Sequence, residues 1–143
     1  MNFSEALKSN KILLLDGATG TELAKRGLMG KSDANLTSPD VILDVQRQYV
    51  NCGCDAITAN TFMFNKIYIE THNEEVPVRE MNIAGVEIAR NAIGPDKYVL
   101  GNLSSTGQLL EPYGTYKESQ FYDAFNEQAG YLAEAGVDAF LIE

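Results

Sequence analysis

The chain has 143 residues, 45% of them apolar and 22% charged, and its 20 acidic against 11 basic side chains leave a formal charge of -9. A chain of this size buries one core and not two independent ones, so residues 1–143 are expected to form one domain or a piece of one. The acid excess repels a phosphate backbone and an anionic leaflet, which argues against nucleic acid and membrane surfaces as partners and leaves small molecules or proteins.

The N-terminal stretch Met1-Asn2-Phe3-Ser4-Glu5 is polar and has no signal-peptide pattern. The longest aliphatic run, Ile12 to Leu15, is far short of the roughly 20 residues of a membrane span and reads as a first strand. It ends in the polar, glycine-rich Asp16-Gly17-Ala18-Thr19-Gly20-Thr21-Glu22. A helix then opens at Ser38-Pro39-Asp40, which supplies an N-cap hydroxyl, a proline at the first helical position and a carboxylate in the first turn. Val41, Val45 and Tyr49 recur at helical spacing and Gly53 is the left-handed stop.

Cys52 and Cys54 flank that stop. Two such cysteines make no disulfide framework, so a reducing, cytoplasmic compartment is expected and the pair is read as turn residues rather than metal ligands. Asp55 to Thr58 is the second strand, ending in Ala59-Asn60-Thr61-Phe62. His72, the single histidine, falls in the polar Thr71 to Glu75 and reads as a solvated loop residue without a partner. Met81, Ala84, Ile88 and Ala92 form the stripe of a second helix that Gly94-Pro95 ends. Lys97 to Leu100 is the third strand, followed by Gly101-Asn102-Leu103-Ser104-Ser105-Thr106-Gly107. The long loop Leu109 to Tyr116 comes next; its tyrosines either cover a pocket or pack outside, and loop position favours cover. Phe121, Phe125, Gln128, Leu132 and Ala135 trace a last helix closed by Gly136, and Val137 to Ile142 is a fourth strand that leads to Glu143.

The strand starts, Ile12, Asp55, Lys97 and Val137, are separated by 43, 42 and 40 residues, about one strand, one helix and two loops. Gly53-Cys54-Asp55-Ala56-Ile57 is echoed by Gly136-Val137-Asp138-Ala139-Phe140. Apolar strands alternating with helices imply a parallel sheet with right-handed crossovers, either doubly wound or an eight-fold barrel. The even period favours the barrel, whose eight repeats would take about 340 residues. The fold class is therefore α/β, with parallel (β/α) units forming about half of a TIM (β/α)8 barrel. Half a barrel leaves open edges and a bare inner face. The chain is thus expected to be a fragment cut after its fourth strand, or to meet a second half-barrel chain.

In such folds chemistry sits at the carboxyl ends of the strands. Asp16 and Glu143, on the first and fourth strands, would face each other across a barrel mouth and suit a cationic group such as an amino acid's ammonium. The Gly17 to Gly20 turn brings backbone N–H groups near an anion, either that amino acid's carboxylate or a phosphate. It lacks the lysine of a P-loop and the spacing of a dinucleotide fingerprint.

Asp16-Gly17-Ala18-Thr19-Gly20-Thr21-Glu22-Leu23, Asn35-Leu36-Thr37-Ser38-Pro39-Asp40, Ala59-Asn60-Thr61-Phe62, Thr106-Gly107-Gln108-Leu109-Leu110-Glu111-Pro112-Tyr113-Gly114-Thr115 and Gly136 to Glu143 together resemble the homocysteine S-methyltransferase family. That family includes the homocysteine-binding domain of cobalamin-dependent methionine synthase and betaine-homocysteine methyltransferase. The resemblance covers the N-terminal half of the family domain. It implies an eight-fold barrel that transfers a methyl group to homocysteine sulfur, giving methionine, with zinc held by three cysteines of the later strands.

Cys52 and Cys54 match neither zinc motif, so no metal role is carried onto them. By resemblance Asp16 and Glu143 hold the homocysteine ammonium, Gly17 and Ala18 approach the amino acid through backbone, Thr61 lines the pocket, and Asn60 and Asn102 are further candidates. The chain is then expected to be inactive by itself. A corrinoid protein or a folate is an implied methyl donor. Ser104-Ser105 stands where relatives often have Gly-Pro, which bears on loop shape and donor preference. The readings from other classes are a half-barrel scaffold that dimerises and an anion- or phosphate-binding barrel fragment.

Overall fold

The computed structural model describes residues 1–143. In chain order it has α1 (Phe3–Lys8), α2 (Thr19–Lys25), α3 (Ala34–Thr37), α4 (Pro39–Asn51), β1 (Ala56–Thr58), α5 (Lys66–Thr71), α6 (Val78–Ile93), β2 (Tyr98–Leu103), α7 (Glu118–Glu134) and β3 (Ala139–Ile142). The strands form one parallel sheet in the order β1-β2-β3, with Thr58 opposite Leu100 and Asn102 opposite Leu141. A doubly wound sheet reverses direction after its first crossovers; here successive strands keep stepping the same way. No helix is long and apolar enough to cross a membrane.

The expected first strand does not form as one. Ile12 to Leu15 meets β1 by a single parallel bridge, Leu15 to Ala56. The N–H groups of Asp55 and Ala56 donate to the Leu14 carbonyl at 2.8 and 3.2 Å, and Asp16 N–H donates to Ala56 O at 3.2 Å. Ile12 is 90% exposed. An edge segment has a partner on one side only, and here the pairing is confined to its carboxyl end.

The three long helices follow the apolar periodicity. Pro39 starts α4, but Ser38 makes no side-chain cap bond despite standing at the N-cap. Gly53, Gly94 and Gly136 end α4, α6 and α7 with φ of 101, 80 and 84°, the left-handed backbone that glycine adopts without strain. On α6 Met81 and Ile88 are buried while Ala84 and Ala92 are half-buried, because Val86 and Ala89 take the centre of the contact. Val86, Ala89 and Leu132 from α6 and α7 pack on Ile57 and Val99 of the sheet. A Cβ on Gly101 would lie 3.0 Å from a methyl of Leu132, so the bare glycine lets α7 seat on β2. Leu23, Ile42, Val45 and Ile88 join α2 and α4 to α6 in a second cluster.

The internal echo has one physical job in both copies. Asp55 accepts the Leu14 N–H at 3.0 Å and pairs with Lys11 at 2.6 Å. Asp138 accepts the Val99 N–H at 2.8 Å and pairs with Arg90 at 2.6 Å. Each aspartate closes an open donor on the preceding strand, next to a cation that strengthens the hold.

Candidate functional site

A cleft of about 490 Å³ opens at the carboxyl ends of the strands. Asp16, Gly17, Ala18, Asn60, Asn102 and Glu143 all line it, with Leu15, Phe62 and Leu141 as its apolar wall. Six of the seven residues expected at the site therefore share one hollow. Thr61 does not line it. Its side chain is fully buried behind the wall, where the hydroxyl donates to the Asn102 carbonyl at 2.9 Å and receives the Asn102 N–H at 3.1 Å. Thr61 thus stitches the end of β1 to β2, and its hydrogen-bonding capacity is spent there rather than on a ligand.

Asp16 leaves the edge segment and turns onto β1. Thr58 N–H donates to its Oδ2 at 2.9 Å and the Thr58 hydroxyl donates to its Oδ1 at 2.9 Å. Burial raises the Asp16 carboxyl above the ordinary aspartate value, the two Thr58 bonds oppose that rise, and the Glu143 charge adds to it. Across the cleft Asn102 Nδ2 donates to Glu143 Oε2 at 2.7 Å. Neither carboxylate takes part in any of the chain's ion pairs. Two carboxylates on one polar rim, held by neutral donors and not by cations, leave their charge for a ligand to meet.

The first loop supplies the opposite polarity. The N–H groups of Gly17, Ala18, Thr19 and Gly20 have no acceptor within the chain, and Ala18 caps α2 without a side-chain bond. The Tyr49 ring lies under this loop: a Cβ on Gly17 would stand 3.1 Å from it, and its hydroxyl donates to the Ala18 carbonyl at 3.4 Å. Asn60 is held from behind, its Nδ2 donating to Asn35 Oδ1 at 2.7 Å while Asn35 Nδ2 donates to the Asn60 carbonyl at 2.8 Å. Gly85 permits this knot, because a Cβ there would lie 2.8 Å from the Asn35 amide. Gln128 on α7 donates to the Thr61 carbonyl at 2.9 Å and fixes the same turn from the far side.

Thr58, Tyr49, Asn35 and Gln128 are not readable as site residues from their spacing. Tyr49 and Gln128 carry the signature of helix faces, and the job of Thr58 is set by the strand register, which brings it against Asp16.

Other expectations are corrected. His72 has a partner: it stacks on Tyr68 with ring centroids 3.8 Å apart and its Nδ1 lies 2.9 Å from the Tyr68 carbonyl. The tyrosine loop does not cover the cleft. Tyr113 is 87% exposed, and Tyr116 packs on Phe121 at 5.9 Å, away from the rim. Cys54 is buried in the main core, which pushes its thiol up, and Cys52 is exposed at the end of α4. No three His, Cys, Asp or Glu residues gather as a metal set. The residues of this chain do not fit a zinc centre.

A sequential parallel sheet with its polar cleft at the carboxyl ends of the strands places the chain among α/β folds that bind small molecules at that rim. The chain belongs to the homocysteine S-methyltransferase family, whose sequence pattern matches residues 13–143. It is 32% identical to methionine synthase of Mycobacterium tuberculosis over 150 residues, which span 94% of this chain and 12% of that protein. Homocysteine S-methyltransferase 2 of Saccharomyces cerevisiae is 26% identical over 145 residues, covering 82% of this chain and 44% of that one. The metallated form of the homocysteine methyltransferase MmuM from Escherichia coli superimposes with a TM-score of 0.78 at 22% identity, over 97% of this chain and 56% of its own. The chain thus spans about half the length of that solved structure and a smaller share of the curated relatives.

Proposed function

We propose that this chain supplies the amino-acid-binding half of a homocysteine S-methyltransferase site and forms the first half of its (β/α)8 barrel. The observation that carries the reading is the carboxylate couple, Asp16 and Glu143, in no ion pair and lining one cleft with the free N–H groups of Gly17 and Ala18. An α-amino acid has this polarity in reverse: its ammonium seats between the carboxylates and its carboxylate against the loop amides. The side chain then runs along the apolar wall of Phe62 and Leu141. Sequential strand order and the 56% coverage of the solved homologue support the half-barrel.

Methyl transfer requires the thiol as a thiolate, and an alkyl thiol with a pKa of about 8.5 is mostly protonated near neutrality. This chain's role is to bind and orient the amino acid. The thiol-activating zinc and the methyl donor, whether a corrinoid or a folate, belong to other parts of the complete protein. Supplied with zinc, homocysteine and a methyl donor, the purified chain is expected to yield no methionine, and the same chain combined with the remaining half of a family domain is expected to yield it. Turnover by the chain alone would overturn the division of the site.

A further inference from the structure

Asp16 sits at the cleft without a cation, yet it is held in one orientation by a single neighbour on β1. A carboxylate has two oxygens with about four lone-pair sites, and a residue that donates to both fixes the plane of the group while leaving the remaining sites free. Thr58 donates from its backbone to one oxygen and from its hydroxyl to the other, each at 2.9 Å. Thr58 is itself fixed from the helix side, where Gln46 Nε2 on α4 donates to its carbonyl at 3.2 Å. Gln46 is fully buried and its Oε1 has no partner, so the amide keeps this one bond while leaving an acceptor unmet, an arrangement that costs stability.

The second carboxylate is held in the same way. Asn102 donates to Glu143 41 positions along the chain, and Thr58 donates to Asp16 over 42 positions. In each case a neutral donor on one strand holds the carboxylate at the carboxyl end of the strand beside it.

We propose that Thr58 is the positioning residue of Asp16: its hydroxyl and N–H clamp both carboxylate oxygens so that the outward lone pairs point to the ligand's ammonium. This deepens the proposed function, because Asp16 is one of the two ammonium acceptors there. A neutral clamp suits that task better than a cation would. An arginine or lysine in the same place would hold the carboxylate but also compete with the ligand for its charge.

The charge that reaches Asp16 is that of Glu143 at the strand end, and the Asp16 charge in turn raises the Tyr49 hydroxyl of α4 and the Cys54 thiol before β1. All of them are acidic groups. Against burial and the Glu143 charge, the Thr58 bonds and the backbone N–H of Asp16 favour the ionised form.

The test compares Thr58→Val, which keeps the shape and removes the hydroxyl, with Thr58→Ser, which keeps the hydroxyl, in the full chain. Carbon-13 NMR of the Asp16 carboxyl across a pH titration is the first readout. The Asp16 midpoint is expected to rise in T58V and to stay near the wild-type value in T58S. An unchanged midpoint in T58V overturns the proposal.

A second readout needs no substitution and covers the case in which T58V does not fold. In the wild-type chain the Thr58 amide proton is expected to shift with the Asp16 midpoint, and an amide that ignores that titration overturns the proposal equally. Homocysteine affinity is expected to fall about tenfold in T58V and to recover in T58S. If the wild-type chain binds no homocysteine while the Thr58 amide still follows Asp16, the amino-acid reading fails and the clamp stands.

Discussion

At the scale of single residues the account turns on Asp16. Its carboxyl is raised chiefly by burial, with the Thr58 bonds opposing and Glu143 adding to the rise. A carboxyl whose folded-state pKa exceeds its unfolded value favours the folded state while protonated. That stability is fully present below the ordinary value of 3.8 and is lost as pH rises through the raised one. Asp16→Asn removes the titration. Its melting temperature relative to the wild-type chain is therefore expected to climb as pH rises from about 4 through the raised Asp16 value, measured by scanning calorimetry at matched ionic strength. Parallel pH profiles for the two proteins would contradict the burial of this charge.

Asp16, Gly17, Ala18, Asn60, Asn102 and Glu143 were legible in the sequence because polar groups after apolar strands fall on one rim whatever the details of pairing. Thr61 belongs to the same run but points into the body, since successive strand-end residues alternate in direction. Thr58 was hidden for the complementary reason. It ends a strand, and only the pairing of that strand with the edge segment turns it toward Asp16.

At the scale of elements, long periodic helices were read close to their observed bounds and short ones were not. The helices α1, α2, α3 and α5 have 6, 7, 4 and 6 residues, too few turns for apolar periodicity to emerge, and lengths at which packing rather than propensity decides. The edge segment Ile12 to Leu15 has strand composition but pairs only at its carboxyl end.

Two substitutions probe how elements are joined. Asp138→Ala removes the acceptor of Val99 N–H and the partner of Arg90, and is expected to cost about 1–2 kcal/mol in urea unfolding. A value indistinguishable from zero would mean that the repeated aspartate is not a strand clamp. Gly85→Ala pushes a methyl to within 2.8 Å of Asn35 and 2.9 Å of Thr61. The gain in helix propensity is smaller than the cost of overpacking, so a net loss of about 1–2 kcal/mol is expected. A stabilised variant would show that α6 has room to move off the Asn35–Asn60 knot.

At the scale of the whole molecule, the sheet is covered at its centre and open at its edges, with Phe140 and Ile142 on the same face as their partners Gly101 and Leu103. The helices α6 and α7 bury Val99 and Leu103, while Phe140 and Ile142 of β3 are 45% and 81% exposed and Ile12 at the opposite edge is 90% exposed. The cleft itself is bounded by residues drawn from the edge segment, β1, β2 and the end of β3, so every part of the sheet contributes to one cleft. Period, echo and strand-end polarity made this architecture readable, because each repeat carries its own strand, helix and glycine stop. Sequence spacing does not convey how a carboxylate is held once it reaches the rim.

The most direct measurement is a titration of the nitrogen-15-labelled chain with L-homocysteine and, separately, with its des-amino analogue 4-mercaptobutyrate. Homocysteine is expected to shift the amides of Gly17, Ala18 and Asn102, and loss of the ammonium is expected to weaken binding at least tenfold. Equal binding of the two compounds, or shifts confined to residues away from Asp16 and Glu143, would contradict the carboxylate couple as the ammonium seat.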